Sequence, residues 1–180
     1  MESDFETCLS KINKFLKRYP KSEEVWLIKG NLGNEIFNTQ MAKQSFMEAL
    51  KINPDYPKAL AGMGVVMRRE KKYGEAEDYY YKALKLDSEL YLAKSSLMLL
   101  ELRKENYDVA IALGEDSIKK GIKNVQPRII ENLMIAYHYS EEFEKRNYLF
   151  SYLKEIEYSR LFALDLVMGN YVSIEELLDA

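Results

Sequence analysis

The feature that most constrains this chain is a repeat of 34 residues. Placing residues 23–56 over residues 57–90 aligns small residues with small residues and aromatic with aromatic, without a gap. The matched positions are Trp26 with Leu60, Gly30 with Gly64, Ala42 with Ala76, Phe46 with Tyr80, and Ala49 with Ala83. A fixed period of about 20 to 50 residues is typical of proteins built from stacked copies of one small unit. The sequence therefore predicts a repeat protein.

Each repeat holds two stretches of helix-forming sequence. Within each stretch the apolar residues recur at intervals of three and four, the period of an amphipathic helix, and strand-like alternation is absent. The segments between the two stretches, such as 71–74 and 104–107, are too short for any connection except an antiparallel hairpin. One hairpin cannot bury its apolar face alone, so neighbouring hairpins must stack. We expect an all-α solenoid of antiparallel helix pairs.

Residues 23–56 resemble the tetratricopeptide repeat. The likeness is carried by Trp26, Gly30, Ala42, Phe46, Ala49 and Pro54, whereas Lys29 and Gly33 depart from the pattern. In the second repeat, residues 63–64, 72–76 and 82–87 also match the pattern. The resemblance implies a right-handed superhelix that binds a protein or peptide in a groove.

The same period extends beyond these two repeats and predicts one solenoid domain over residues 1–180. We expect a half repeat at 4–22, clear repeats at 23–56 and 57–90, degenerate repeats at 91–124 and 127–160, and C-terminal capping helices at 161–180. In the degenerate repeats, Gly114 stands where an aromatic residue is expected and Arg146 where a small residue is expected.

The resemblance also implies a candidate peptide-binding groove, because the family exposes five positions of the first helix in each pair. Transferred residue by residue, these positions give Leu27, Asn31, Val65, Arg68, Arg69, Leu99, Arg103, Ile135 and His138. We expect Val65, Leu99 and Ile135 to form an apolar strip beside a basic row of Arg68, Arg69 and Arg103. Guanidinium groups suit carboxylates, so the expected ligand is a peptide or partner helix with apolar anchors and acidic residues.

Composition argues against several other classes of protein. The net charge is −3 with both signs interspersed, which disfavours nucleic-acid binding, and no apolar run is long enough to span a membrane. The single cysteine, Cys8, permits no internal disulfide or cysteine-based zinc site, and it aligns with Ala42 as a small core residue. With an acidic N-terminal segment, these features predict a cytoplasmic protein, or a periplasmic or exported one if a leader has been removed.

No catalytic motif emerges from the sequence. The only histidine, His138, lacks a nucleophile partner, and we expect neither a cofactor nor a metal. We therefore predict a non-enzymatic scaffold or adaptor that binds protein. Two alternatives remain: a self-assembling structural protein whose N-terminal half repeat stacks on another copy, and a regulatory domain of a larger enzyme.

Overall fold

The regular structure of the chain is helical throughout the part that is described. The computed structural model describes residues 2–119 and 121–156. Its helices are α1 Glu2–Arg18, α2 Glu23–Glu35, α3 Thr39–Ile52, α4 Pro57–Arg69, α5 Tyr73–Leu86, α6 Tyr91–Arg103, α7 Tyr107–Ile118, a 3-10 helix Ile122–Asn124, α8 Pro127–Tyr139 and α9 Phe143–Glu155. The expected all-α helical repeat fold is confirmed. The predicted capping helices at 161–180 lie outside the described residues.

The helices follow the repeat of the sequence. The first helices of successive pairs begin at Glu23, Pro57 and Tyr91, and the next begins at Pro127 after two extra residues. These extra residues belong to a turn in which Gly121 has φ 101 and donates its N–H to the carbonyl oxygen of Ile118 at 2.7 Å. This left-handed conformation favours glycine, which has no Cβ to clash with the backbone.

Contacts between residues divide the chain into two compact units, Met1–Ala93 and Lys94–Ala180, with the boundary inside α6. In the first unit α2 packs against α3, α4 packs against α5, and α3 also contacts α4. In the second unit α8 contacts both α7 and α9. Helices that pack against their neighbours in sequence are what a repeat fold requires.

The turns inside the four hairpins share one backbone geometry. Phe37, Lys71, Glu105 and Glu141 have φ between 57 and 62. After α4, for example, the N–H of Lys72 donates to the carbonyl oxygen of Met67 at 2.9 Å, and the N–H of Lys71 to that of Arg68 at 2.9 Å. These paired hydrogen bonds satisfy the last carbonyls of the helix and reverse the chain. The second helix then starts within two or three residues.

Aromatic rings fill the first unit by packing directly on glycines. A Cβ placed on Gly30 would lie 2.4 Å from Cε1 of Phe46, and one placed on Gly62 would lie 2.5 Å from Cζ of the same ring. Tyr80 takes the corresponding place beside Gly64, also at 2.4 Å. Both rings are fully buried. The matched glycines of the sequence are therefore the sites where a backbone touches a ring.

The second unit reverses this arrangement of large and small side chains. Gly114 occupies the position of Phe46 and Tyr80, whereas Met98 occupies the position of Gly30 and Gly64. A Cβ on Gly114 would lie 2.9 Å from Cε of Met98 and 2.9 Å from Cδ1 of Leu133, so the methionine fills the space of the missing ring. The third repeat is thus degenerate in sequence but closely packed.

The prediction that Cys8 is a small core residue is wrong, because Cys8 is exposed. Its counterpart Ala42 is buried against the preceding helix: a Cβ on Gly33 of α2 would lie 2.7 Å from the Ala42 nitrogen. No helix precedes α1 in the described chain. Helix α1 instead packs its Ile12 and Leu16 side against α2.

Candidate functional site

Two adjacent arginines at the end of α4 form the best-defined candidate site. Arg69 donates from Nη1 to the main-chain oxygen of Asn34 at 2.8 Å and to its Oδ1 at 3.3 Å. The Nε of Arg68 is enclosed, yet no acceptor among the described residues lies within hydrogen-bond distance of it. Neither guanidinium forms an ion pair with a carboxylate in residues 2–119 and 121–156. The pair therefore offers donors and positive charge to a ligand.

The two arginines also disfavour each other electrostatically. Burial, and then the charge of neighbouring Arg68, hold the pKa of Arg69 below its ordinary value. An arginine remains protonated despite such a shift, so both charges persist at neutral pH. A carboxylate bound beside them would relieve this repulsion and accept hydrogen bonds from the guanidinium groups. The electrostatics of the site thus favour an anionic ligand.

An exposed aromatic ring completes this site. Phe37 follows α2, is 80% exposed, and lies under the guanidinium of Arg69, with 4.9 Å from Cζ to the ring centroid. It also has φ 57, a conformation that is unusual for a bulky residue. The ring extends the surface of the two arginines with an apolar contact area. We call Asn34, Phe37, Arg68 and Arg69 the arginine site.

The other candidates in the first unit differ in exposure. Asn31 is exposed and Leu27 is half-buried on α2, so both side chains reach the surface. Val65 is only 9% exposed and belongs to the buried face of α4. The exposure expected for Val65 is therefore wrong, because the neighbours of α4 cover it.

The second unit gives a similar result. Leu99, Arg103 and His138 are half-buried, whereas Ile135 is 1% exposed and lies in the core with Leu133. The exposure expected for Ile135 is wrong, because α7 and α9 both pack against α8. Binding roles for the remaining side chains stay predictions.

His138 contacts the arginine that replaces a small residue in the last repeat. Nη1 of Arg146 lies 3.0 Å from Nδ1 of His138, and its guanidinium lies 5.0 Å from the centroid of the Phe143 ring. Because arginine only donates, Nδ1 must accept, which fixes the neutral Nε2–H tautomer. Burial, and then the charge of Arg146, lower the pKa of His138. The histidine is therefore held as a neutral acceptor.

A second concavity lies in the second unit and contains a satisfied polar network. Its volume is about 550 Å³, and Glu115, Tyr137 and Lys145 contribute to its lining. Tyr137 donates to Oε1 of Glu115 at 2.7 Å, and Lys145 reaches the same oxygen at 3.0 Å. These hydrogen bonds lower the pKa of Glu115, while burial and the bond to Glu115 raise that of Tyr137. The Glu115 carboxylate is stabilised in its ionised form and the Tyr137 phenol in its protonated form, so neither group is poised for proton transfer.

The described residues contain neither a metal-binding cluster nor a membrane-spanning helix. In residues 2–119 and 121–156, no three His, Cys, Asp or Glu side chains are grouped to hold a metal ion. Over the same residues, none of the helices is long and apolar enough to cross a membrane.

Sequence reasoning missed Phe37. The equivalent turn positions hold Lys71, Glu105 and Glu141, which are all charged. The phenylalanine at this turn position could have indicated a binding residue, since solvent-facing turn positions rarely favour a large apolar ring. The contact with Arg69 could not be inferred, because it joins residues 32 positions apart through the fold.

Comparison with known proteins identifies the repeats. The tetratricopeptide repeat family model matches residues 23–56 and 57–90. Protein O-mannosyl-transferase TMTC1 from Homo sapiens is 31% identical over 104 residues, which cover 56% of this chain and 12% of that protein. The chain thus spans only a small part of the curated relative that it matches.

Solved structures share the fold. The crystal structure of PilW, a widely conserved type IV pilus biogenesis factor, is similar with a TM-score of 0.77 and 21% identity, over 94% of this chain and 79% of that one. YrrB, described as a TPR protein with an unusual peptide-binding site, has a TM-score of 0.67 and 16% identity, over 89% of this chain and 82% of that one. At these identities the likeness concerns the fold alone. Residues 23–56 and 57–90 are therefore tetratricopeptide repeats, and the chain shares the all-α fold of helix hairpins seen in these structures.

Proposed function

We propose that the chain is a non-enzymatic scaffold or adaptor that binds an acidic segment of a partner protein at the arginine site. The observation that carries this proposal is the adjacent pair of guanidinium groups, neither of which forms an ion pair with a carboxylate among the described residues. A hydrogen bond to a charged group contributes about 1.5–3 kcal/mol, so an acidic ligand group at this point would add to affinity. A carboxylate would also lessen the repulsion between the two positive charges.

The form of the ligand follows from the surroundings of the arginines. Phe37 offers an exposed ring beside Arg69, and half-buried Leu27 adds apolar surface on α2. A peptide with one or two acidic residues next to an apolar side chain matches both parts of this surface. YrrB supports peptide binding in general, since it is described as having an unusual peptide-binding site on a similar fold.

The proposal is tested with peptides selected by phage display against the purified chain. We expect the selected peptides to be rich in Asp and Glu beside apolar residues. Their binding, followed by fluorescence anisotropy, should weaken about tenfold or more in the double variant Arg68→Glu, Arg69→Glu, and should respond to salt. Phe37→Ala should weaken binding at both low and high salt, because it removes apolar contact rather than charge.

A matched control is the charge reversal Lys82→Glu, Lys85→Glu on α5, where both lysines are exposed. This variant changes the net charge equally and should bind the peptides as the unchanged chain does. Selection of basic or uncharged peptides, or equal loss of binding in both double variants, would contradict the assignment of the arginine site.

A second candidate function has one observation in its favour. The human relative is named as an O-mannosyl-transferase, and this chain covers 12% of it. A role as the regulatory part of a larger enzyme is therefore a specific alternative. The length of the complete reading frame tests it: a frame that also encodes a catalytic domain would favour this alternative.

We also propose a cytoplasmic location, because the single cysteine permits no internal disulfide, as is usual in a reducing compartment. Fractionation of cells that express the protein from its own gene would test this, and recovery from the periplasm or medium would contradict it.

A further inference from the structure

We infer that α1 carries a second interaction surface, distinct from the arginine site, that binds an acidic amphipathic helix of a partner protein. The surface consists of Cys8, Phe15 and Tyr19 along one side of the helix, bordered by Lys11, Lys14 and Arg18. We call it the open face of α1. It involves none of the residues of the arginine site.

Comparison with the equivalent helix of the next repeat, α3, shows which kind of surface the open face matches. Cys8 and Phe15 lie 34 residues before Ala42 and Ala49, which are fully buried in α3. In α3 this side of the helix packs against the preceding helix, α2, to which the Ala42 backbone lies very close. In α1 the equivalent side is exposed: Cys8 is accessible and Phe15 is 44% exposed. The open face thus has the position of a helix-packing surface in the repeat.

The width of the exposed apolar strip favours a helix over a membrane. The most apolar side of α1, with Leu9, Ile12 and Leu16, is already packed against α2. What remains exposed is Phe5 near the start of the helix and a narrow strip of Phe15 and Tyr19, whose rings lie 4.9 Å apart. A helix bound to a bilayer presents a broad apolar face, whereas a helix–helix contact needs only such a strip.

The charges around the strip specify the chemistry of the partner. A concavity of about 580 Å³ has a described lining of Lys11, Lys14, Phe15, Lys17, Arg18 and Tyr19, which includes no carboxylate; Glu24 lines only the adjoining concavity. None of these four cations forms an ion pair with a described residue. A partner with Asp or Glu along the flanks of its apolar stripe complements this border. A glycine within that stripe would accept a ring as Gly64 accepts Tyr80.

A synthetic helical peptide provides a direct probe. The acidic peptide carries leucines at helical spacing, one glycine in the same stripe, and glutamates on both flanks. In the basic control peptide, every glutamate is replaced by lysine. Since Cys8 is the single cysteine and lies within the open face, its rate of reaction with a thiol reagent reports occupancy. We expect the acidic peptide to slow this reaction several-fold at saturation and the basic peptide to leave it unchanged.

Variants then locate the contact. Lys11→Glu, Lys14→Glu should weaken binding of the acidic peptide about tenfold or more, because like charges now face its glutamates. The exposed pair Lys82→Glu, Lys85→Glu serves as the matched control and should bind normally. Normal binding by Arg68→Glu, Arg69→Glu is also expected, so this proposal and the proposed function fail independently.

Three results would overturn the inference. The first is that acidic and basic peptides protect Cys8 equally, or that the Lys11→Glu, Lys14→Glu variant binds the acidic peptide as tightly as the unchanged chain.

The second is that the chain does not bind the acidic peptide but sediments with phosphatidylglycerol vesicles, and that the Lys11→Glu, Lys14→Glu variant does not sediment with them. The surface would then bind lipid. The third is protection of Cys8 that rises with protein concentration alone, together with dimers in analytical ultracentrifugation; a second copy would then be the occupant.

Discussion

Replacing Gly64 by alanine tests the contact on which the first unit is built. The new Cβ would lie 2.4, 2.7 and 2.8 Å from three ring atoms of Tyr80, where about 3.5–4.0 Å is the ordinary separation between carbon atoms. The ring is fully buried and rigid, so it cannot move aside freely. Overpacking costs about 1–3 kcal/mol, and three contacts below 3 Å place this substitution in the upper half of that range, at about 2–3 kcal/mol. The helix propensity of alanine returns about 1 kcal/mol. We expect a net loss of about 1–2 kcal/mol.

Gly74→Ala is the matched control, because no atom lies within 4 Å of a Cβ at Gly74 in the first turn of α5. This substitution should leave stability equal or raise it by up to about 0.5 kcal/mol. Urea unfolding followed by fluorescence measures both variants, since the single tryptophan, Trp26, lies in α2 of the same unit. If Gly64→Ala unfolded at the same or a higher urea concentration than the unchanged chain, the packing of Tyr80 against α4 would be refuted.

Three further predictions concern the turns and the histidine. Lys71→Gly should raise the free energy of unfolding by about 0.5–1 kcal/mol, because φ 59 is unfavourable for lysine but not for glycine; a thermal melt would show this. Gly121→Ala should lower the free energy of unfolding by about 1 kcal/mol, because φ 101 is unfavourable for alanine but not for glycine. An unchanged melting temperature would contradict the positive φ. The pKa of His138 is depressed in the folded chain, so below about pH 6.5 the unfolded chain binds a proton that the folded chain does not. Stability should therefore fall as the pH drops from 7.5 to 5.5, and His138→Asn, which removes the only histidine, should reduce that slope.

The fold could be predicted from the sequence because its strongest signals are local. The spacing of glycine, alanine and aromatic residues fixes both the helix period and the pairing of the helices, and α2 and α4 begin at the first residues of the two clear repeats. The two residues inserted before α8 were also visible as a shift in the period. Their structural cause, the turn at Gly121, required knowledge of the backbone angles.

The candidate site was predictable only in part. The positions transferred from the resembling family placed Arg68 and Arg69 at the surface; both are half-buried, and their binding role stays a prediction. The same transfer failed for Val65 and Ile135, whose exposure depends on neighbouring helices that the period of their own helix does not describe. It failed in the opposite sense for Cys8, where alignment with buried alanines implied a neighbour that the described chain lacks.

In the third repeat the large residue, Met98, stands where the earlier repeats have glycine, and Gly114 stands where they have a ring. This reversal limits how a chain of this kind can lengthen during evolution. A hairpin such as 57–90 can be duplicated in tandem, because Phe46 already packs against Gly62 of the hairpin that follows it, and Tyr80 would meet the same glycine in a new copy. A copy of 91–124 inserted among the earlier hairpins would place Gly114 where Phe46 or Tyr80 stands, and would leave no ring to pack against the glycine of the hairpin that follows. Insertions and deletions of whole hairpins should therefore accumulate before residue 91, while the segment after it is inherited as a unit.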